Sequence, residues 1–322
     1  MGAGFTFAIS NFCMASLSHY GSLGFIFYGP MGLFWMGSEL LIESYKEKQV
    51  SGKYYNKEKS NYITADGKWK VQNCLLLMFG TTYFVLVGLM MMLCFTWGRK
   101  GDINPGIICS LFGICAFSTS VLFFYMYKEV LSKSHLMGML LISISIVMLS
   151  AENAQKEEIK LTEDDYSVRT YGFMAIAAGV LINIPMTMKI VVVRHFSGPS
   201  YPLWAFNRDG TFGESFVYVF ILIIMCATSW QGKTLAVDYF FGSLGFLSEY
   251  FGKQLATRSV KEGWAGPSIC LAETQPIYTL LLCYFILGEG TSTFQIFGMI
   301  ICIAGCMVIS VGDFVLERIK KT

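Results

Sequence analysis

The sequence predicts an all-α membrane protein, with ten transmembrane helices arranged as two inverted five-helix repeats. Three observations lead there. Of 322 residues, 54% are hydrophobic and only 14% charged, with positive mean hydropathy, too apolar for a water-soluble domain of this length. Residues 127–150 (YKEVLSKSHLMGMLLISISIVMLS) recur 160 positions later as 287–310 (LGEGTSTFQIFGMIICIAGCMVIS), and fixed-offset self-similarity marks a duplicated structural unit. The basic residues are sorted unevenly between alternate loops, as short cytoplasmic loops require.

A spanning helix needs roughly 20 mostly apolar residues to cross a hydrocarbon core of about 30 Å. Stretches of that kind fall at 3–19, 23–43, 72–97, 104–127, 135–151, 171–193, 214–231, 235–256, 265–287 and 293–315. The first is short and carries Ser10, Asn11, Ser16, Ser18 and His19. No Lys or Arg precedes residue 46, so it lacks the basic start of a cleaved signal peptide and reads as a span.

Between the second and third stretches, the basic loop 44–71 is too short and polar to enclose a core and reads as a cytoplasmic excursion. The acidic stretch 152–170 is a solvated linker. It divides a first five-helix repeat, 1–151, from a second, 171–322. In the repeat itself Glu129 aligns with Glu289, Ser132 with Ser292, Gly138 with Gly298 and Ser150 with Ser310; further back, Gly106 aligns with Gly266.

One side of the predicted membrane collects Lys46, Lys48, Lys53, Lys57, Lys59, Lys68 and Lys70, then Lys128, Lys133, Arg194, Arg208, Arg258, Lys261, Arg318, Lys320 and Lys321. The other has Arg99, Lys100, Lys156, Lys160, Arg169 and Lys233. Both termini are therefore expected in the cytosol. Five spans per repeat is an odd number, so the second copy inserts upside down relative to the first, the arrangement of many secondary transporters.

Several function classes find no foothold. The cysteines lie in or beside apolar spans without a CxxC pair, and His19, His135 and His195 show no metal-ligand spacing. Phosphate-binding glycine loops and nucleophile elbows are absent, so no enzyme or cofactor is indicated. A net charge of +2 does not point to nucleic acid. The partners indicated are the lipid bilayer and a small-molecule solute, with a homodimer left open.

The segment 256–310 resembles the last helices of an EamA domain of the drug/metabolite transporter superfamily. The shared pattern is Ala256 closing the eighth span, Ala265 and Gly266, Pro276 in the ninth, Gly288 with Glu289, and the spaced Gly298 and Gly305. The first copy keeps Glu129, Gly138 and Ser145 in these places, with Lys128 for the glycine and Ala116 for the proline. The resemblance implies ten helices in two inverted repeats around a central solute path, and it names no substrate. Phosphate-ester exchangers of that superfamily typically carry paired basic residues in the ninth helix. Glu273 stands in that region here, which disfavours sugar phosphates and, less strongly, nucleotide sugars.

Physical chemistry gives the marker residues structural roles. Gly298 and Gly305, like Gly138 and Ser145, are seven apart on one helix face and let a neighbouring backbone approach closely. Glu129 and Glu289 sit in interhelical loops, where a carboxylate stabilises the exposed N–H groups of the next helix.

Charge inside a span is costly unless it faces a partner or a wet cavity. Glu249 and Lys253, at i and i+4, form either a structural ion pair or part of a solute site. Glu273 and Gln275 precede Pro276, which frees a backbone carbonyl of a kind tolerated at membrane depth where it lines a cavity. Asn183 with Pro185 repeats the combination in the sixth span, as a solute contact or an interhelical hydrogen bond. Tyr278 in the second repeat and Asn11 and Tyr83 in the first complete an asymmetric candidate site.

The functional expectation is a secondary-active or facilitative transporter of a small polar organic metabolite, working by alternating access. Protonation of Glu273 would couple it to a proton gradient, and simple facilitated exchange fits equally. A divalent-cation carrier using the carboxylates and a non-transporting membrane scaffold or receptor are the alternatives.

Overall fold

The computed structural model describes residues 2–19, 28–55, 60–128, 132–155, 166–196, 201, 203–227, 236–262 and 275–319. Among them the regular structure is overwhelmingly helical, and Ile63 pairs with Trp69 in an isolated antiparallel bridge. The chain order is α1 (Gly2–His19), α2 (Tyr28–Ser51), α3 (Val71–Lys100), α4 (Pro105–Leu111), α5 (Ile114–Tyr127), α6 (Lys133–Gln155), α7 (Val168–Leu181), α8 (Asn183–Phe196), α9 (Leu203–Ala227), α10 (Ala236–Glu262), α11 (Gln275–Leu282) and α12 (Thr293–Ile319). A π-helical turn, Cys283–Leu287, extends α11.

Every apolar stretch of the sequence carries helix, but the ends and continuity differ from the hydropathy pattern. α2 continues to Ser51 and α9 begins at Leu203, eleven residues before its apolar stretch. Hydropathy marks where side chains are apolar, whereas a helix continues wherever its backbone bonds can form. Two stretches are broken. The fourth divides into α4 and α5 at Phe112–Gly113, and the sixth into α7 and α8 at Ile182. Pro185 lacks an N–H for the Leu181 carbonyl four residues back, which opens the ladder there.

Asn183 links the two breaks. Its Nδ2 stands 3.0 Å from the Leu111 carbonyl at the end of α4, 2.8 Å from Gly179 O and 3.1 Å from Val180 O. One buried amide thereby serves carbonyls that two interrupted helices leave exposed.

Among the described residues two helices are long and apolar enough to cross a membrane: Val71–Lys100, and Val168–Lys189 taken across the Ile182 turn. Shorter apolar helices lie at Gly2–Leu17, Lys133–Met148, Gln275–Leu287 and Thr293–Ile309. α3 buries Leu76, Tyr83, Phe84, Val87 and Phe95 while leaving Val71, Leu75 and Leu86 exposed. Phe34, Met78, Phe220, Phe285 and Phe297 are likewise exposed.

The helices meet at small residues. α6 and α12 pack antiparallel along most of their length. A Cβ on Gly138 would lie 2.6 Å from Gly305 O, and one on Gly305 would lie 2.8 Å from Gly138 O. One helical stretch away, Ser145 Oγ donates to Gly298 O at 2.7 Å. The repeat-equivalent pairs 138/298 and 145/305 therefore meet crosswise, 138 against 305 and 145 against 298.

Glu129 and residues 265–266 lie outside the described residues. In the second copy Ser292 Oγ accepts the Gln295 N–H at 3.0 Å, capping the start of α12. The Glu289 carbonyl accepts from Asn104 Nδ2 at 3.1 Å, and its side chain lines a cleft with Arg99 and Asp102. There burial pushes the Glu289 carboxyl up to about 7, with Arg99 opposing the rise and Asp102 adding to it. Lys128 and Gly288, equivalent in the repeat, share a left-handed backbone, with φ of 56° and 69°.

Two expectations follow from these contacts. Gly138→Leu and Gly305→Leu should each lower thermal stability in detergent by about 1–3 kcal/mol through overpacking; an unchanged unfolding midpoint in both would remove the close-contact role. Lys128→Gly should stabilise the protein by roughly 1 kcal/mol, because a lysine is strained at positive φ and a glycine is not, and a calorimetric comparison with wild type reads the sign directly.

Candidate functional site

A cavity of about 230 Å³ opens between the two halves of the chain. Its neutral wall comes from the first half: Ser10 and Asn11 on α1, Tyr28 on α2, Tyr83 and Phe84 on α3. Its charged wall comes from the second: Lys189 on α8, Glu214 on α9, and Glu249 and Lys253 on α10.

Glycine contacts bring α9 close enough to α3 to form this chamber. A Cβ on Gly210 would meet the Phe84 ring at 2.7 Å, and one on Gly213 would meet Thr81 Oγ1 at 2.0 Å. Further along, Tyr218 Oη reaches the position a Gly88 Cβ would occupy, at 2.3 Å. Glu214 and Tyr218, one turn apart, are thus presented to the cavity beside α3. Glu214 lies eleven residues along α9, roughly 16 Å from its start.

The charges form a defined cluster. Lys253 Nζ is 2.6 Å from Glu249 Oε1 and 3.8 Å from Glu214 Oε2, with side-chain exposures of 10%, 26% and 9% for Lys253, Glu249 and Glu214. The same ammonium stands 3.9 Å from the centroid of the Phe84 ring. Lys189 Nζ stands 5.0 Å from that centroid and 5.2 Å from the centroid of Tyr83. Aromatic faces attract cations through their quadrupole, so Phe84 serves both lysines. Across the cavity Asn11 Nδ2 donates to Gln275 Oε1 at 3.3 Å, and the Ser10 and Tyr28 hydroxyls are 3.4 Å apart.

A second polar cluster joins α2, α9, α10 and the segment 60–70. Arg208 Nη1 donates to Glu43 Oε2 at 2.7 Å, and Arg208 Nε to Asp209 Oδ1 at 2.8 Å. Tyr62 donates to Asp209 and stands 3.1 Å from the Tyr201 hydroxyl. Burial, then the Asp209 carboxylate, holds the Tyr62 phenol well above its usual range, in its donating form. Tyr250 Oη donates to both oxygens of Glu39, at 2.9 and 2.8 Å.

Of the residues singled out in the sequence, the structure brings Asn11, Tyr83, Glu249, Lys253 and Gln275 to one cavity. Asn183 is not in its lining and binds carbonyls instead. Tyr278 is not in it either, and packs edge-to-face on Phe5 with centroids 5.8 Å apart. Pro276 is buried in the first described turn of α11. Glu273 lies outside the described residues.

Glu214, Tyr218, Tyr28 and Lys189 were not among those candidates. Glu214 fell at the first residue of an apolar stretch, because the run RDGTFGES with its two glycines reads as loop. The available signal was the absence of any proline from 203 to 227, which permits a helix throughout. Among the described residues no three His, Cys, Asp or Glu side chains converge on a metal position; Lys253 occupies the place between Glu214 and Glu249.

No protein-family model matches this chain, and comparison with curated proteins likewise returns no match.

Removing Lys253 would leave two carboxylates without their cation. Lys253→Met should therefore destabilise the protein by about 3–5 kcal/mol, while Lys253→Met combined with Glu214→Gln and Glu249→Gln should recover most of that loss. Thermal unfolding of the single and combined variants in one detergent tests the coupling; a combined loss equal to the sum of the three separate losses would mean that the side chains act independently.

Proposed function

We propose that this chain is a multi-pass membrane transporter that moves a small polar organic solute by alternating access between two inverted five-helix halves. The observation that carries the reading is the cavity itself. Four ionisable side chains, Lys189, Glu214, Glu249 and Lys253, line a chamber inside a helical body whose outer surface is largely apolar. Intramembrane charge of this kind marks a solute or ion path.

Repeat-related packing supports the inverted arrangement. α1 packs on α10 and α11, and the equivalent sixth stretch, α7 with α8, packs on α3, α4 and α5. The crosswise meeting of Gly138 with Gly305 and of Ser145 with Gly298 has the form of a two-fold axis between the halves. The likeness of 256–310 to an EamA domain leads to the same architecture.

Sidedness follows from the basic loops, with both termini cytosolic. The Arg208–Glu43, Tyr62–Asp209 and Tyr250–Glu39 contacts join elements on the lysine-rich side, and they would part when the cavity opens to the cytosol. Glu273, two residues before the cavity-lining Gln275, remains a candidate solute contact in this scheme.

Reconstituted vesicles test the reading. Wild-type protein should show saturable counterflow of at least one small polar metabolite from a mixed pool, and Glu214→Gln should abolish or pH-decouple it while remaining folded. Single cysteines at 57 and 160 should react with an impermeant reagent from the cytosolic and outer sides, respectively. Folded wild-type protein that exchanges no solute, or reversed labelling, would overturn the proposal.

A further inference from the structure

Among the described residues, the two lysines of the cavity differ in their carboxylate contacts. Lys253 is bracketed by two carboxylates, but among the described residues none lies within 4.0 Å of Lys189. Its close neighbours are the faces of Tyr83 and Phe84. Ring faces attract a cation without supplying a countercharge. Lys189 therefore presents its amine to the chamber, and a protonated lysine amine holds three donors for an anion.

The opposite pole lies close by. Lys189 and Lys253 are measured to one Phe84 centroid, at 5.0 and 3.9 Å, so their nitrogens are at most about 9 Å apart. Lys253 stands tight against Glu249 but 3.8 Å from Glu214, which leaves Glu214 the more loosely paired acid. Among the described residues the cavity's two acids and two lysines balance, which suits a solute of no net charge in a low-dielectric site.

The chamber volume of about 230 Å³ corresponds to roughly seven or eight waters. Met14, Val87, Met91 and Phe112 supply an apolar lining beside the rings. A compact solute with an apolar body fits this volume and lining.

Resting on the transport reading for the role of this cavity, we propose that Lys189 is the recognition residue for a carboxylate on the solute. The solute is a small amphoteric organic acid, whose ammonium group pairs with Glu214 while its apolar body lies along Phe84 and Phe112.

Three probes with one phenyl skeleton separate the charges: L-phenylalanine, 3-phenylpropionate and 2-phenylethylamine. Binding to purified protein in nanodiscs is read by ligand-induced thermal shift, independently of transport. L-phenylalanine should bind most tightly to wild type. Lys189→Gln should weaken L-phenylalanine and 3-phenylpropionate by about tenfold or more, the loss of one charge-assisted pair, and leave 2-phenylethylamine unchanged. Lys189→Arg should retain all three and show that charge, not fold, is at issue; Lys189→Met replaces Lys189→Gln if the latter does not fold.

Tightest wild-type binding of 2-phenylethylamine, equal binding of L-phenylalanine by wild type and Lys189→Gln, or no binding of any probe to folded wild type would each overturn the assignment. The expected binding pattern without vesicle uptake of L-phenylalanine would instead refute the transport reading and leave Lys189 as a carboxylate site. Uptake of another solute that Lys189→Gln leaves unchanged would refute the Lys189 assignment alone.

Discussion

The interaction on which the central architecture depends is the contact of Lys253 with Glu249 and Glu214, because it allows charge to persist inside an apolar helical body. Ions removed from water are costly in isolation, and here each of three helical side chains reduces the cost of another. Glu249 and Lys253 are pre-aligned on α10 at 2.6 Å, while Glu214 arrives from α9. The face of Phe84 closes the fourth side at 3.9 Å. Two of these contacts come from other helices, so the charge cluster also fixes how α3, α9 and α10 stand to one another.

That arrangement needs backbones close enough for side chains of ordinary length to meet. Between helices with largely apolar surfaces, close packing and hydrogen bonds fix which faces meet. The chain uses small residues for both purposes. Gly210 and Gly213 let α9 lie on Phe84 and Thr81, and Gly138, Gly305, Ser145 and Gly298 join α6 to α12 by contact and by one hydroxyl bond. The interrupted helices follow the same economy, with the Asn183 amide satisfying carbonyls on both sides of the α4–α7 contact.

The cavity and the Tyr62–Asp209–Arg208 cluster draw on the same helix, α9. Arg208 and Asp209 hold its first turns against α2 and the 60–70 segment; Glu214, just beyond them, faces the chamber. A rearrangement at one level would therefore be felt at the other along a single rigid element.

The sequence by itself determined the helical class and the helix-bearing stretches, because apolar runs of sufficient length leave a backbone few ways to satisfy its hydrogen bonds. It also singled out Glu249, Lys253, Asn11, Tyr83 and Gln275, since polar groups in such runs are conspicuous whatever surrounds them. It separated Gly138 from Gly305 by 167 positions and could mark each as small without pairing them. Tertiary structure alone decided which helix met which, and with it that Asn183 serves backbone carbonyls rather than the chamber. It likewise made Glu214 and Lys189 cavity residues: hydropathy ends at the first charged residue, but α9 runs on through RDGTFGES, and only its packing against α3 brings Glu214 beside Lys253. Whether a charge lies at a helix edge or in a shared interior depends on distances across the fold, which one-dimensional patterns of polarity do not contain.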